Sequence, residues 1–300
     1  MPPMSAPVTF TLDLEDLRSS PTLEVRVDVV AHRVFDRLAE MGIRGNVFVV
    51  GDVAREHPAL VQRAHADGHE IGLHALVHRP IGARGEAGFR ADTAAGKALV
   101  EDVIGAVVRG YRAPMMSLVP ESSWAVDILT ELEFTYSSSV LPASSPMYGW
   151  PGLPRTPFRW SSGLIEFPCP IVRVAGTDIP YLGGAYLRLL PGAVQRYGLR
   201  HAPADSVLWT YCHPWEFDPD ESFYVYDDGG WVASRIGWLN RKNMMKRVER
   251  LRSHLVGASL GACADRLAAD GALPVIDPRQ VVAPTPNRRR RLLDGLLRTE

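Results

Sequence analysis

The feature that most constrains this chain is an order of short apolar strands and amphipathic helices that repeats from its first residues, with acids and histidines where strands end. Val8 to Leu14 alternates β-branched and apolar residues and runs into Asp13, Glu15 and Asp16, the pattern of a buried strand that delivers carboxylates at its C-terminal end. Val29, Val30, Val34, Leu38 and Met41 then recur at helical spacing up to Gly42, and Gly45 to Val50 supplies a second apolar strand, which predicts a βαβ unit. Ala59, Leu60, Arg63 and Ala64 continue a helix that stops at Gly68, and His69 to Leu73 reads as a third strand. The order goes on with a helix around Thr93 to Asp102, a strand at Ala106 to Gly110, a helix from Pro120 to Leu132 and a strand at Val207 to Tyr211. Repeated β-then-α order predicts an α/β fold on a parallel sheet or barrel, which keeps chemistry at the C-terminal ends of its strands. From Pro142 to Pro170 the chain is rich in Pro, Ser and Gly and reads as long ordered loops without a domain boundary.

Composition narrows the function classes. With 46% hydrophobic residues in a 300-residue chain, a full-sized core is available, and a formal net charge of -1 argues against a nucleic-acid surface. Cys169, Cys212 and Cys263 have no CxxC spacing, so neither a thiolate zinc site nor a disulfide framework is indicated, and a reducing compartment fits. No apolar run approaches the roughly 18 residues of a membrane span, and Met1 to Ala6 does not read as a signal peptide, so the expected location is cytoplasmic. Arg288 to Arg291 give the last residues, 281–300, the character of a solvated basic tail.

The candidate chemical groups converge by position. Asp13, Glu15 and Asp16 cluster past the first strand, where mutual repulsion is costly unless a cation or a base role uses them. His74 and His78 have the spacing that, on a helical turn, turns two imidazoles to one divalent metal, which one carboxylate would complete. His69 reads as structural, its ring bonded to nearby backbone. Arg112, in Gly110-Tyr111-Arg112-Ala113-Pro114, is placed to hold a carboxylate, and the backbone N–H of Met115, after Pro114, is a candidate oxyanion donor. His213, in Tyr211-Cys212-His213-Pro214-Trp215-Glu216, follows an apolar strand and suits a general acid. Trp150, Trp160, Trp215 and Tyr186 could stack on a sugar or simply pack.

Together these motifs resemble the polysaccharide deacetylase (NodB homology, carbohydrate esterase family 4) family, from about Thr9 to Leu267. The resemblance rests on Thr11-Leu12-Asp13-Leu14-Glu15-Asp16, on Gly68 to His78, on Arg112-Ala113-Pro114 and on Leu208 to His213, in the family's order. Tyr136 to Ser139, Gly183 to Pro191 and His213 to Pro219 are similar to the subgroup found with bacterial exopolysaccharide loci. The resemblance implies a distorted (β/α) barrel, one catalytic domain over residues 1–280, a divalent cation (Zn2+, or else Co2+, Ni2+ or Mn2+) and hydrolysis of an N-acetyl group on an amino sugar. It implies Asp13 as the base that activates water, His74 and His78 as metal ligands with Asp16 or Glu15, His213 as the acid, and Arg112 orienting Asp13; Met115, Pro114 and Trp215 would face the substrate. The family's adjacent aspartates are spaced apart here, which leaves Glu15 and Asp16 both open. Ser137 stands where relatives often carry an aspartate, and Glu216 and Asp178 are the candidates to replace its effect on His213. Two other readings compete: an allantoinase-like or deformylase-like amide hydrolase, and a carbohydrate-binding relative without turnover. The second has no need of Asp13, His74, His78, Arg112 and His213 at once.

Overall fold

The segment that opens the alternation is two short strands, β1 (Val8–Thr9) and β2 (Thr11–Leu14), buried at every position. Burial on both faces is what an almost continuous apolar run requires. The computed structural model describes residues 7–18, 22–145, 147–226 and 230–281; the basic tail, Arg288 to Arg291, lies outside the described residues. Helix α1 (Val27–Met41) turns Val30, Val34, Phe35 and Leu38 inward and ends at Gly42, whose φ of 70° is the left-handed conformation of a helix stop. Each such side chain contributes about 1.5–3 kcal/mol by leaving water. Val29, which the spacing puts on the same face, is exposed instead, one position around the helix from Val30.

Strand β3 (Asn46–Val49) pairs in parallel with β2 and completes the expected βαβ unit. A short helix absent from the sequence reading, α2 (Gly51–Glu56), precedes α3 (Pro58–Ala66) and β4 (Glu70–Leu73). Helix α4 (Gly85–Ile104) begins well before Thr93, and the strand expected at 106–110 survives only at its end as β5 (Gly110–Tyr111), because Val107 faces solvent. Pro120–Ser122 forms a 3-10 turn ahead of α5 (Ala125–Glu131), then comes β6 (Tyr136–Ser137).

The stretch read as loops contains two strands, β7 (Phe158–Trp160) and β8 (Ile165–Glu166). They are ordered by Trp150 and Trp160, fully buried with ring centroids 5.4 Å apart. A hairpin follows, β9 (Ile171–Val174) and β10 (Thr177–Pro180), then α6 (Gly184–Leu189), α7 (Gly192–His201) and β11 (Leu208–Trp209). Helices α8 (Gly230–Trp238), α9 (Met244–Arg250) and α10 (Leu260–Asp270) and strand β12 (Val275–Ile276) close the described chain.

The main sheet runs β12-β7-β8-β6-β5-β4-β3-β2, and every pairing in it except β7 with β8 is parallel. β1 pairs in parallel with β11, and a bridge from Leu12 to Cys212 continues that pairing, so the first segment has β3 on one side and Leu208 to Cys212 on the other. The result is a mixed α/β fold on a mainly parallel sheet. Its topology brings the C-terminal ends of β2, β4, β5 and the 208–212 segment to one edge. Among the described residues no helix is long and apolar enough to cross a membrane.

Candidate metal and catalytic site

Parallel register fixes the first group of side chains. The backbone N–H of His74 donates to the carbonyl of Val49 (2.8 Å), which extends the β3–β4 pairing one residue beyond β4. His74 and His78 are not on a helical turn, as their spacing suggests. Ala75 takes a left-handed conformation (φ 69°) and bends the chain so that the two rings lie 5.3 Å apart. The Nδ1–H of His74 donates to the carbonyl of Arg112 (2.8 Å), which leaves Nε2 with its lone pair toward the site. Oε2 of Glu15 lies 2.7 Å from Nε2 of His78 and 3.6 Å from Nε2 of His74.

Glu15, His74 and His78 thus each offer one ligand atom, all within 4.8 Å of one another. Oε2 of Glu15 is buried and has no aligned hydrogen bond, an acceptor in want of a cation. Two imidazoles and a carboxylate are a three-ligand set for a divalent metal with an open position, so the residues present fit one. Asp16 is turned away, its carboxylate accepting from Nε of Arg18 (2.6 Å) and from the Arg18 backbone N–H (3.0 Å), so it is Glu15 that meets the histidines.

Asp13, at the end of β2, is buried and paired with Nη1 of Arg112. The Arg112 guanidinium is fully buried between the rings of Phe48 and Trp209, 4.0 and 4.2 Å from their centroids, and also donates to Thr11 Oγ1 (2.7 Å) and Ser138 Oγ (2.9 Å). Glycine is required below it: a Cβ on Gly72 would come within 2.6 Å of the Phe48 ring. Pro114 is buried, and Met115 (φ 56°) lines the same cavity in a left-handed conformation unusual for a side-chain-bearing residue.

The opposite wall is built by side chains. His213 leaves the 208–212 segment ahead of a 3-10 turn, Pro214–Phe217. Its Nδ1 is 3.0 Å from Oε2 of Glu216, and its Nε2 is 3.8 Å from both Asp13 Oδ2 and Glu15 Oε1. Trp215 stacks on the His213 ring at 4.9 Å and 12°, and its indole N–H donates to Oε1 of Glu15 (3.2 Å). Arg188, which sequence reasoning missed as a site residue, is fully buried with Nε 3.1 Å from Oε1 of Glu216. Its signal was an arginine inside an otherwise apolar short helix. Of the two candidates to act on His213, Glu216 touches it, whereas Asp178 sits on the β9–β10 hairpin with Arg155 and Arg173. Trp150 and Trp160 are core residues, unavailable to a sugar, while Trp215 and Tyr186 line the cavity. His69 is structural, as expected, accepting at Nδ1 from the Gly45 backbone N–H (3.1 Å).

Electrostatics follow from this crowding. Burial by itself would raise the Glu15 carboxyl, but the charges of His78 and His213 and the close His74 and His78 rings hold it well below the usual range. Burial opposes charge on His213, yet Glu15 and the bonded Glu216 raise it to about 9. Burial likewise opposes charge on His78, and Glu15 raises it. Asp13, Glu15, His74, His78 and His213 all line one cavity of about 910 Å3.

Residues 20–136 match the family model described as polysaccharide deacetylase, and residues 138–258 match a domain of unknown function, DUF3473. Residues 20–136 thus carry a polysaccharide deacetylase domain, as the resemblance implied. Within that family the DUF3473 match fits the exopolysaccharide-associated subgroup. The first match holds His74, His78 and Arg112, the second holds His213, Glu216 and Arg188, and Asp13 and Glu15 precede both. A chitooligosaccharide deacetylase of Sinorhizobium fredii (strain NBRC 101917 / NGR234) is 33% identical over 103 residues, 34% of this chain and 45% of the relative. The chain thus spans less than half the length of that curated relative. In fold, it is similar to a Mycobacterium smegmatis structure assigned to the polysaccharide deacetylases (TM-score 0.57, 18% identity, 94% of this chain and 98% of that one). It is also similar in fold to the Puue allantoinase (TM-score 0.56, 15% identity, 87% and 90%).

Proposed function

We propose that this chain is a divalent-metal-dependent hydrolase that removes the acetyl group from an N-acetylated amino sugar. The observation that carries the reading is the meeting, in one cavity, of the Glu15, His74 and His78 ligand atoms with Asp13 and His213. Bound by those three residues, a cation such as Zn2+ would supply a Lewis acid for the acetyl carbonyl and make water more acidic. Asp13, fixed by the buried Arg112, takes the proton of the attacking water as its oxygen bonds to the carbonyl carbon. His213, its Nδ1 held by Glu216 and its Nε2 toward the cavity, gives a proton to the sugar nitrogen as the C–N bond breaks. Acetate and a free amine leave. The Met115 backbone N–H is the protein's own donor for the carbonyl oxygen as it becomes anionic.

The same reading treats residues 1–280 as one catalytic domain. Pairing of β1 with β11 supports this, since it joins the segment carrying Asp13 to the one carrying His213. The test is acetate release from a panel of N-acetylated sugars by purified protein with its metal quantified, beside Asp13→Asn and His213→Gln. Release that is lost in both variants while metal stays bound supports the mechanism; undiminished release in either one contradicts it.

A further inference from the structure

The cavity continues well beyond the groups that one acetamido sugar can occupy, and that continuation is apolar. Its volume of about 910 Å3 is near the top of the roughly 300–1,000 Å3 that small-molecule sites span. Asp13, Glu15, His74, His78 and His213 hold one part of it; elsewhere the wall is made by Met115, Met147, Pro180, Tyr186, Ala233 and Ile236. Of the charged groups that line the cavity besides the catalytic ones, Arg18 is engaged with Asp16 (2.6 Å) and Asp52 with Arg55 (2.5 Å), and Glu56 and Arg79 line it as well. Tyr148 and Tyr226 also line the cavity, but against Met115, Met147, Pro180, Ala233 and Ile236 the hydroxyls of additional sugar rings would find no polar partner, which is unfavourable. A flat sugar face could rest on Tyr186, but Met147, Pro180, Ala233 and Ile236 present no ring of the aromatic kind. Hydrocarbon meets neither problem.

The way out of the cavity has the same character. Ala233 and Ile236 belong to α8, and that helix leaves Trp231 and Val232 exposed at 60% and 66%, with the Arg235 guanidinium 5.0 Å from the Trp231 ring centroid, while Met147 is exposed at 72%. Met147, Ala233 and Ile236 thus line the same cavity as the catalytic groups, and α8 carries further exposed apolar side chains beside them.

We propose that the acetylated sugar is the head of an amphiphile, and that its hydrocarbon chain lies against Met147, Ala233 and Ile236 and leaves over α8. This rests on the deacetylase reading above. The test compares kcat/KM of the metal-loaded full chain for three probes below their micellar concentrations: the methyl and octyl β-glycosides of N-acetylglucosamine, and tetra-N-acetylchitotetraose. The octyl glycoside is expected to exceed the methyl glycoside by at least about tenfold, since each buried methylene favours binding. In Ile236→Asp, and separately in Ala233→Asp, the octyl-to-methyl ratio is expected to fall toward one, and a ratio is insensitive to the fraction of protein that folds. Equal values for octyl and methyl in the unmodified protein, or a preference for the chitotetraose, overturns the amphiphile while leaving the deacetylase intact. Acetate from none of the probes overturns the deacetylase reading and the amphiphile with it.

Discussion

The two walls of the site are held by different means. On the metal side, His74 is fixed by the β3–β4 register through its backbone N–H and by the Arg112 carbonyl through its ring, so the main chain aims the ligand. On the acid side, His213 is aimed by Glu216, Glu216 is met by Arg188, and the Trp215 ring lies beneath. Register is shared over many hydrogen bonds and tolerates the loss of one. A chain of single side-chain contacts does not. The first wall should therefore fail through lost ligands and the second through lost orientation.

The largest expected effect tests the link between the walls. Arg112→Met leaves Asp13 buried without its partner, which should cost about 3–5 kcal/mol of stability, seen as a fall in thermal midpoint. An unchanged midpoint would contradict a stabilising role for the Arg112–Asp13 pair. Next, His213→Gln is expected to lower kcat by about 10^2–10^4-fold with metal content unchanged, whereas His74→Ala should lose metal and activity together. If His213→Gln also lost its metal, the division into two walls would break. Glu216→Gln should lower kcat by up to about 100-fold through misplaced geometry. It should also shift the pH profile. An acid must carry its proton, so activity falls as pH rises through the His213 pKa, which the bonded Glu216 raises; without the Glu216 charge that fall should move to lower pH, and a profile that stays in place contradicts the contact. The smallest effect lies outside both walls. Burial lowers the His69 pKa below 6.5, so the unfolded chain takes up a proton there that the folded chain refuses, and stability should decline as pH falls below that value. Denaturant titrations of the parent and His69→Gln at several pH values should show the slope flatten in the variant.

The same contrast explains what the sequence made legible. Asp13, His74, His78, Arg112 and His213 could be singled out because Asp13 lies at the end of a strand and the others come after one, and parallel pairing sends strand ends to one edge. Whether Glu15 or Asp16 meets the histidines could not, since it turns on where Arg18 reaches, a contact between flexible side chains. Glu216 was legible from its nearness to His213 in the chain, while Asp178, equally acidic, is drawn off by Arg155 and Arg173 from elsewhere. Arg188 stayed hidden because its partner is distant in sequence. In the fold, the loops from Pro142 onward concealed β7 and β8, whose order comes from Trp150 packed on Trp160 rather than from any local alternation. Val29 and Val107 erred the other way, apolar residues that local pattern sends inward and tertiary packing leaves in water.

The central claim is that Glu15, with His74 and His78, holds a metal beside Asp13 and His213. Its most direct test is the stoichiometry of bound divalent metal in the unmodified protein, Glu15→Gln and Asp16→Asn, measured by elemental analysis on the same preparations. About one equivalent in the unmodified protein, retained in Asp16→Asn and lost in Glu15→Gln, is the predicted result. Retention in Glu15→Gln with loss in Asp16→Asn would contradict it.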